Sequence, residues 1–360
     1  MRVGLIIYGS LDTRSGGYLY DRQLVQHLRG CGDTVEIFSL SWRNYGRQLA
    51  DNFSNRLAKQ IQAAQLDGLL PDELNHPSLP RLNRQLHGRV SYPIVSIVHH
   101  LRGSELRSPG AQEFYRWIER RYLASVDGFV CNSEATRRAV AAALDRSDLA
   151  RSVVAYPGGD RFKADLTSEE IEQRARRSGP LRLVFVGNII RRKGLLILLE
   201  ALLKLPPGTC QLTVVGNTDL DALYMRVVYH LLMVTRLAGV TLRGVVDDAE
   251  LAAILAQSDV LVVPSEYEGF GIVYLEGMSF GLPAIGTSSG GASEIITAGV
   301  NGYLVTPNDP AALAKCLLDL ASDRALLARL SQSAFEKFQA QAGWHASMAC
   351  LRQALVEWAA

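Results

Sequence analysis

The stretch "RFKADLTSEEIEQRARRSGPLRLVFVGNII", residues 161–190, ends one pattern and starts it again. Residues 161–180 are charged and carry few large apolar side chains, the composition of a partly helical connection. Residues 181–186 form an apolar, β-rich run that stops at Gly187, just as "RVGLIIYG" (2–9) opens the chain. Upstream of the break, strand-like runs sit at 34–40, 66–70, 93–100, 128–133 and 152–158; downstream they sit at 210–216, 239–244, 259–265 and 282–288. Helix-length segments separate them, among them 17–30, 109–125, 134–145, 194–204, 221–237, 248–256 and 271–280. Strand, helix, strand in succession means parallel sheets with helices on both faces. The expected fold is therefore α/β: two doubly wound, Rossmann-like parallel-sheet domains facing across a cleft, over residues 1–165 and 181–335, with a linker at 166–180. The remaining residues, 336–360, read as a helical tail anchored by Trp344 and Trp358, with packing back on the first domain as one option.

Two domains also suit the length, since 360 residues exceed one comfortable core. A net charge of +2 gives no basis for nucleic-acid binding. Residues 1–160 hold 20 Lys and Arg against 16 Asp and Glu, and the rest holds 18 against 20, an asymmetry small enough to be ordinary variation. Cys31, Cys131, Cys210, Cys316 and Cys350 are scattered, which reads as reduced thiols in a reducing compartment. "MRVGLIIYG" reads as a first strand rather than a signal peptide. No run approaches the ~18 uncharged apolar residues of a membrane span. The segment 223–240 comes nearest, but Arg226, His230 and Arg236 interrupt it at helical spacing. It reads as a partly buried helix, with a membrane-surface helix as the alternative.

The chemistry concentrates in "EYEGFGIVYLEGMSFGLPAIGTSSGG" (266–291). Glu268 lies where a strand-ending loop meets a helix, beside Gly269 and Gly271, which let backbone N–H groups approach an anion at the positive helix end. Glu276 lies about one and a half turns further on, in an otherwise apolar run, where a carboxylate needs a partner. Two carboxylate oxygens suit vicinal hydroxyls, such as those of a ribose or a hexose. The competing readings are a salt bridge to an Arg or Lys for Glu276 and plain solvent exposure for Glu268. Upstream, "VFVGNIIRRKG" (184–194) brings Lys193 to a helix start, where an ammonium and the helix end both serve a phosphate.

These residues resemble the retaining, GT-B-fold glycosyltransferases of family four, the group 1 type. "EGFGIVYLE" (268–276) is similar to that family's E-x7-E signature, and "VGNIIRRKG" (186–194) to its phosphate loop. "GLPAIGTSSGGASEII" (281–296), "GVNGYLV" (299–305), Gly16–Gly17, His99, "CNSEATRRAV" (131–140) and "YPGGD" (156–160) extend the likeness over nearly the whole chain. The resemblance implies that Glu268 contacts donor-sugar hydroxyls, Glu276 binds the nucleotide ribose, and Lys193, helped by Arg192, neutralises the departing diphosphate. It places backbone groups near Gly16, Gly17, Gly269, Phe270 and Gly271 in the phosphate cradle and His99 beside the transferred sugar. The family often has Arg where this chain has Asn188, and commonly an acid where it has His100, so either histidine is able to face the cleft.

The implied function is transfer of a hexosyl group from a UDP-, GDP- or ADP-sugar to a glycan, lipid-linked or small-molecule hydroxyl, with retention and without metal or other cofactor. The expected compartment is the cytoplasm, with peripheral contact at the inner membrane face left open. Rival readings are a nucleotide-sugar epimerase or a glycan phosphorylase on the same architecture, and a non-catalytic nucleotide-sugar binder or sensor. The D-x-D at Asp219–Asp221 precedes a helix and reads as an N-cap rather than a metal site. "LLPDELNHPSLPRLN" (69–83), with Asp72, Glu73 and His76, reads either as part of an acceptor wall or as a polar connection. The basic, aromatic helix at 113–123 reads either as a membrane contact or as a packing helix.

Overall fold

The computed structural model describes residues 1–105, 109–162 and 164–359. The chain forms two compact units, Met1–Pro157 with Ala342–Ala360, and Gly158–Gln341.

In the first unit the apolar runs become strands β1 (Arg2–Tyr8), β2 (Thr34–Leu40), β3 (Gly68–Pro71), β4 (Val95–Val98), β5 (Gly128–Cys131) and β6 (Ser152–Val154). They pair in parallel in the orders β2-β1-β3 and β4-β5-β6. Parallel bridges Leu69–Ile94 and Asp72–Ile97 join the two sets. Side chains from β1, β3, β4, β5 and the helices over them form one buried cluster that includes Ile6, Leu69, Ile94, Val98, Tyr122 and Phe129. Each fully buried Leu, Ile or Phe in it contributes ~2 kcal/mol of transfer free energy. The last helix, Trp344–Ala359, packs against the Gly16–Gly30 helix. Arg352 Nε donates to Asp33 Oδ2 at 2.6 Å, and the Met1 ammonium lies 2.7 Å from the other oxygen of the same carboxylate.

The second unit carries β7 (Leu181–Val186), β8 (Cys210–Val215), β9 (Val240–Gly244), β10 (Val260–Val262), β11 (Ala284–Thr287) and β12 (Gly302–Val305). Their order is β12-β11-β10-β7-β8-β9, all parallel. The chain runs outward from β7 through β8 to β9, then returns to β7's other side through β10. The reversal leaves a switch point between β7 and β10, the place where ligands bind in such sheets.

Within the charged segment 161–180, Ser168–Ala175 is a helix closed by a capping box of Thr167 and Glu170. It packs on the Arg324–Ala340 helix, and Arg174 Nη2 donates to the Gly281 carbonyl at 2.9 Å. Asp221 caps the Ala222–Thr235 helix through the Tyr224 N–H at 3.0 Å, the N-cap role expected within the D-x-D. No described helix is long and apolar enough to cross a membrane.

Candidate functional site

Two loops leave the switch point of the second unit. After β7 the chain runs through Gly187 and Asn188 into a 3-10 turn, Arg191–Lys193, and then the Leu195–Leu202 helix. Gly194 joins turn to helix with φ 74°, in the left-handed region. A Cβ there would lie 2.1 Å from the Pro264 carbonyl oxygen, so only glycine lets the loop after β7 touch the loop after β10. The Glu266 N–H donates to the Arg192 carbonyl at 2.8 Å, and Arg192 Nη1 donates to the Tyr267 carbonyl at 2.8 Å, closing the same seam.

The seam brings Lys193 and Glu268 together. Lys193 Nζ donates to Glu268 Oε1 at 2.5 Å, the Ser265 hydroxyl donates to the same oxygen at 2.5 Å, and Arg192 Nη1 lies 3.8 Å from Oε2. Glu268 is buried rather than solvent-exposed. Burial alone would raise its pKa; the charges of Lys193 and Arg192 outweigh that and hold it at about 2. Burial lowers the Lys193 ammonium, and Glu268 opposes that shift. Behind Glu268, the Gly291 N–H donates to the Glu268 carbonyl at 2.8 Å. Gly290 packs so closely that a Cβ would sit 2.0 Å from that carbonyl oxygen.

Gly269, Phe270 and Gly271 are buried between this carboxylate and the Ile272–Met278 helix, which Gly271 begins. Asn188 is half-buried in the loop after β7, where its carbonyl accepts the Ile190 N–H. Glu276 is also buried, and its partner is Arg161: Nη1 donates to Oε1 at 3.0 Å. The same guanidinium grips Asp248 and lies over the Phe162 ring. Burial raises the Glu276 pKa, with Arg161 acting against it. Arg161 was not among the residues expected from the sequence; it lies 115 positions away with no local pattern to flag it.

In the first unit, Gly16 and Gly17 open the Gly16–Gly30 helix, capped by the Ser15 side chain. A Cβ on Gly17 would lie 3.1 Å from His99 Cδ2, so the structure puts these two expected residues side by side. His99 follows β4, its ring edge-on to Tyr20 at 5.2 Å. Its Nε2 lies 3.6 Å from Asp21 Oδ1 and 3.9 Å from Asp72 Oδ2. His100 turns elsewhere, with Nε2 3.1 Å from Glu105 Oε1.

The "DELNHPS" segment (72–78), read as an acceptor wall or a polar connection, is buried at Asp72, Glu73, Asn75, His76 and Ser78. Glu73 and His76 meet Glu119, which accepts the Arg102 and Gly103 N–H groups at 2.5 and 2.7 Å and so ties down the turn after His99 and His100. Burial raises Glu73 and Glu119 to about 8. Asp21 was missed in the sequence, yet it had a signal: it lies three residues from Tyr18 and from Leu24, on the helix's buried face.

A family profile described as "Glycosyl transferases group 1" matches residues 180–323. The glycogen synthase of Mycobacterium tuberculosis is 34% identical over 173 residues, 47% of this chain and 40% of that protein. A D-inositol 3-phosphate glycosyltransferase of Corynebacterium urealyticum is 30% identical over 224 residues, 59% of this chain and 52% of that one. The chain thus spans about half the length of these curated relatives. Among solved structures, sucrose-phosphate synthase from Thermosynechococcus elongatus superposes with a TM-score of 0.81 at 22% identity, over 99% of this chain and 98% of that one. Anabaena HepE in complex with UDP-glucose gives 0.77 at 18% identity, over 99% and 100%. Residues 180–323, which hold the Lys193–Glu268 seam, are the part of the chain that is similar to the group 1 glycosyl transferases, and the whole chain has the GT-B fold.

Proposed function

We propose that the protein is a retaining glycosyltransferase that moves a hexosyl group from a nucleoside-diphosphate sugar to a hydroxyl acceptor. The observation that carries this reading is the Lys193–Glu268 pair, a half-buried ammonium on a buried carboxylate, at the switch point of the second unit. It sets a cation and an acceptor next to each other in a crevice suited to a nucleotide. A donor diphosphate takes up Lys193 and Arg192, and the sugar hydroxyls take up Glu268. Glu276, oriented by Arg161, receives the ribose diol. In transfer, the bond from the anomeric carbon to the diphosphate breaks and a bond to the acceptor oxygen forms on the same face. The acceptor proton passes to the leaving phosphate oxygen. Charge growing on that phosphate is the main barrier term, and Lys193 is placed to lower it.

No cofactor beyond the donor is required in this reading, so EDTA leaves the rate unchanged. A UDP-hexose is the first donor to try, because HepE was solved with UDP-glucose. GDP- and ADP-sugars follow. The acceptor classes are a glycan, a lipid-linked sugar or a small molecule, and the compartment is the cytoplasm. The test is proton NMR of a donor–acceptor mixture with the purified protein. Growth of a product anomeric signal with the donor's configuration supports the reading. Release of free sugar or an isomer without an acceptor contradicts it.

A further inference from the structure

Three separate elements bring acids and an imidazole to one point in the first unit. Asp21 comes from the Gly16–Gly30 helix after β1, Asp72 from the end of β3, and His99 from the end of β4. The two acids are 0% and 1% exposed. Both Asp21 oxygens, Asp72 Oδ2 and His99 Nε2 are buried with no hydrogen-bond partner. They have only one another, with Nε2 3.6 and 3.9 Å from the two carboxylates. Among the described residues, His99 is the basic side chain that pairs with either acid. The other titratable neighbours are Tyr8, Tyr18, Tyr20, Tyr122 and Glu73, none of which supplies positive charge. Tyr18 gives its hydroxyl proton to the Tyr8 carbonyl and Tyr20 gives its own to the Ala155 carbonyl, so neither donates to the acids. A buried carboxylate so placed is tolerated only when a charge or a proton meets it.

We propose that Asp21 and Asp72 are positioning residues for His99: they hold its Nε2–H inward and so fix the orientation of the ring. The inference rests on the reading above for its effect on transfer alone; the hold of the acids on the ring stands by itself. Burial would depress the imidazole, but the Asp21 contact and the charges of Asp72, Asp21 and Glu73 raise it to about 9. Asp72 is itself pushed well above the usual carboxylate range by burial and by the Asp21 charge. Asp21 is the nearer partner of Nε2, at 3.6 Å against 3.9 Å for Asp72.

The test is imidazole NMR of the full chain with labelled histidine, His99 assigned from the spectrum of His99→Gln. In the wild type the His99 ring stays charged through neutral pH and titrates near 9. In Asp21→Asn it titrates toward the ordinary value of about 6.5, Asp72→Asn moves it less, and Asp21→Glu restores most of the shift. Unchanged circular dichroism and melting temperature certify that Asp21→Asn still folds. The transfer rate gives the second readout: its alkaline limb moves to lower pH in Asp21→Asn and returns in Asp21→Glu. A wild-type ring that titrates near 6.5, or one indifferent to Asp21→Asn, overturns the proposal. So does a stoichiometric divalent metal found by elemental analysis of the wild type and lost in Asp21→Asn. Absence of transfer with every nucleotide sugar, alongside the expected titration, defeats the function reading and leaves the hold of Asp21 on His99 standing.

Discussion

Lys193 Nζ and Glu268 Oε1 meet at 2.5 Å although 75 positions separate them, because β7 and β10 are neighbours at the strand reversal of the second sheet. Opposite charges on two loops, joined behind by a glycine contact, are the proposed site for a ligand carrying both anionic and hydroxyl groups. Transfer by such a site depends on both partners. Lys193→Ala and Glu268→Ala are each expected to lower transfer at least ~100-fold, the scale of losing a preorganised charge from a transition state. Initial rates at saturating donor check this. Near-normal turnover in both variants would defeat it.

The seam that holds the pair has its own weak point. Gly194→Ala puts a methyl against the Pro264 carbonyl in a left-handed conformation, at a cost of about 3 kcal/mol. Urea unfolding measures it. Donor affinity falls with it, because Lys193 moves with the turn.

Arg161→Met leaves Glu276 buried without its cation. Since Arg161 is partly exposed, the expected loss is about 2 kcal/mol rather than the full cost of breaking a buried pair. Donor binding weakens as well, because Glu276 then takes up a proton more readily and presents a poorer acceptor to a ribose diol. Calorimetric titration of the same nucleotide into both proteins separates this from the stability effect.

Stability falls at both ends of the pH scale, for different groups. Glu268 has a depressed folded pKa, so its contribution is present above its ordinary value of 4.5 and is lost as pH falls toward about 2. Glu73 and Glu119 are raised to about 8 and His99 to about 9, so their contributions are complete at low pH and are lost as pH rises through those values. Chemical denaturation at a series of pH values should show a decline that begins above pH 4.5, where the unfolded Glu side chains ionise, and ends near pH 9. Glu119→Gln is expected to flatten that decline.

The strands, the break near 161–180 and the loops bearing Lys193 and Glu268 were legible because each is a local pattern. An apolar run stops at a glycine, or a glycine stands beside an acid at a helix start. The strand order was not legible, since β10 returning beside β7 is a matter of which apolar faces find each other over long separations. Arg161 with Glu276 and Arg352 with Asp33 are of the same kind, at separations of 115 and 319 positions. The polar run "DELNHPS" misled in another way. Its composition reads either as an acceptor wall or as a polar connection and gives no sign of burial, yet it lies inside beside β3 and β4, and each buried polar side chain finds or shares a partner there. Asp21 lies between these cases, visible as an acid on an apolar helix face but without a known partner until β4 delivers His99.

The central claim is that Lys193 and Glu268 form a donor-diphosphate site, and melting temperature with a panel of nucleotide sugars tests it most directly. At a concentration of ~100 Kd the matching donor adds about 2.7 kcal/mol to the folded state, a rise of several degrees. The account predicts that rise with one nucleotide series in the wild type and its loss in Lys193→Ala. No rise with any UDP-, GDP- or ADP-sugar, or an equal rise in Lys193→Ala, would contradict it.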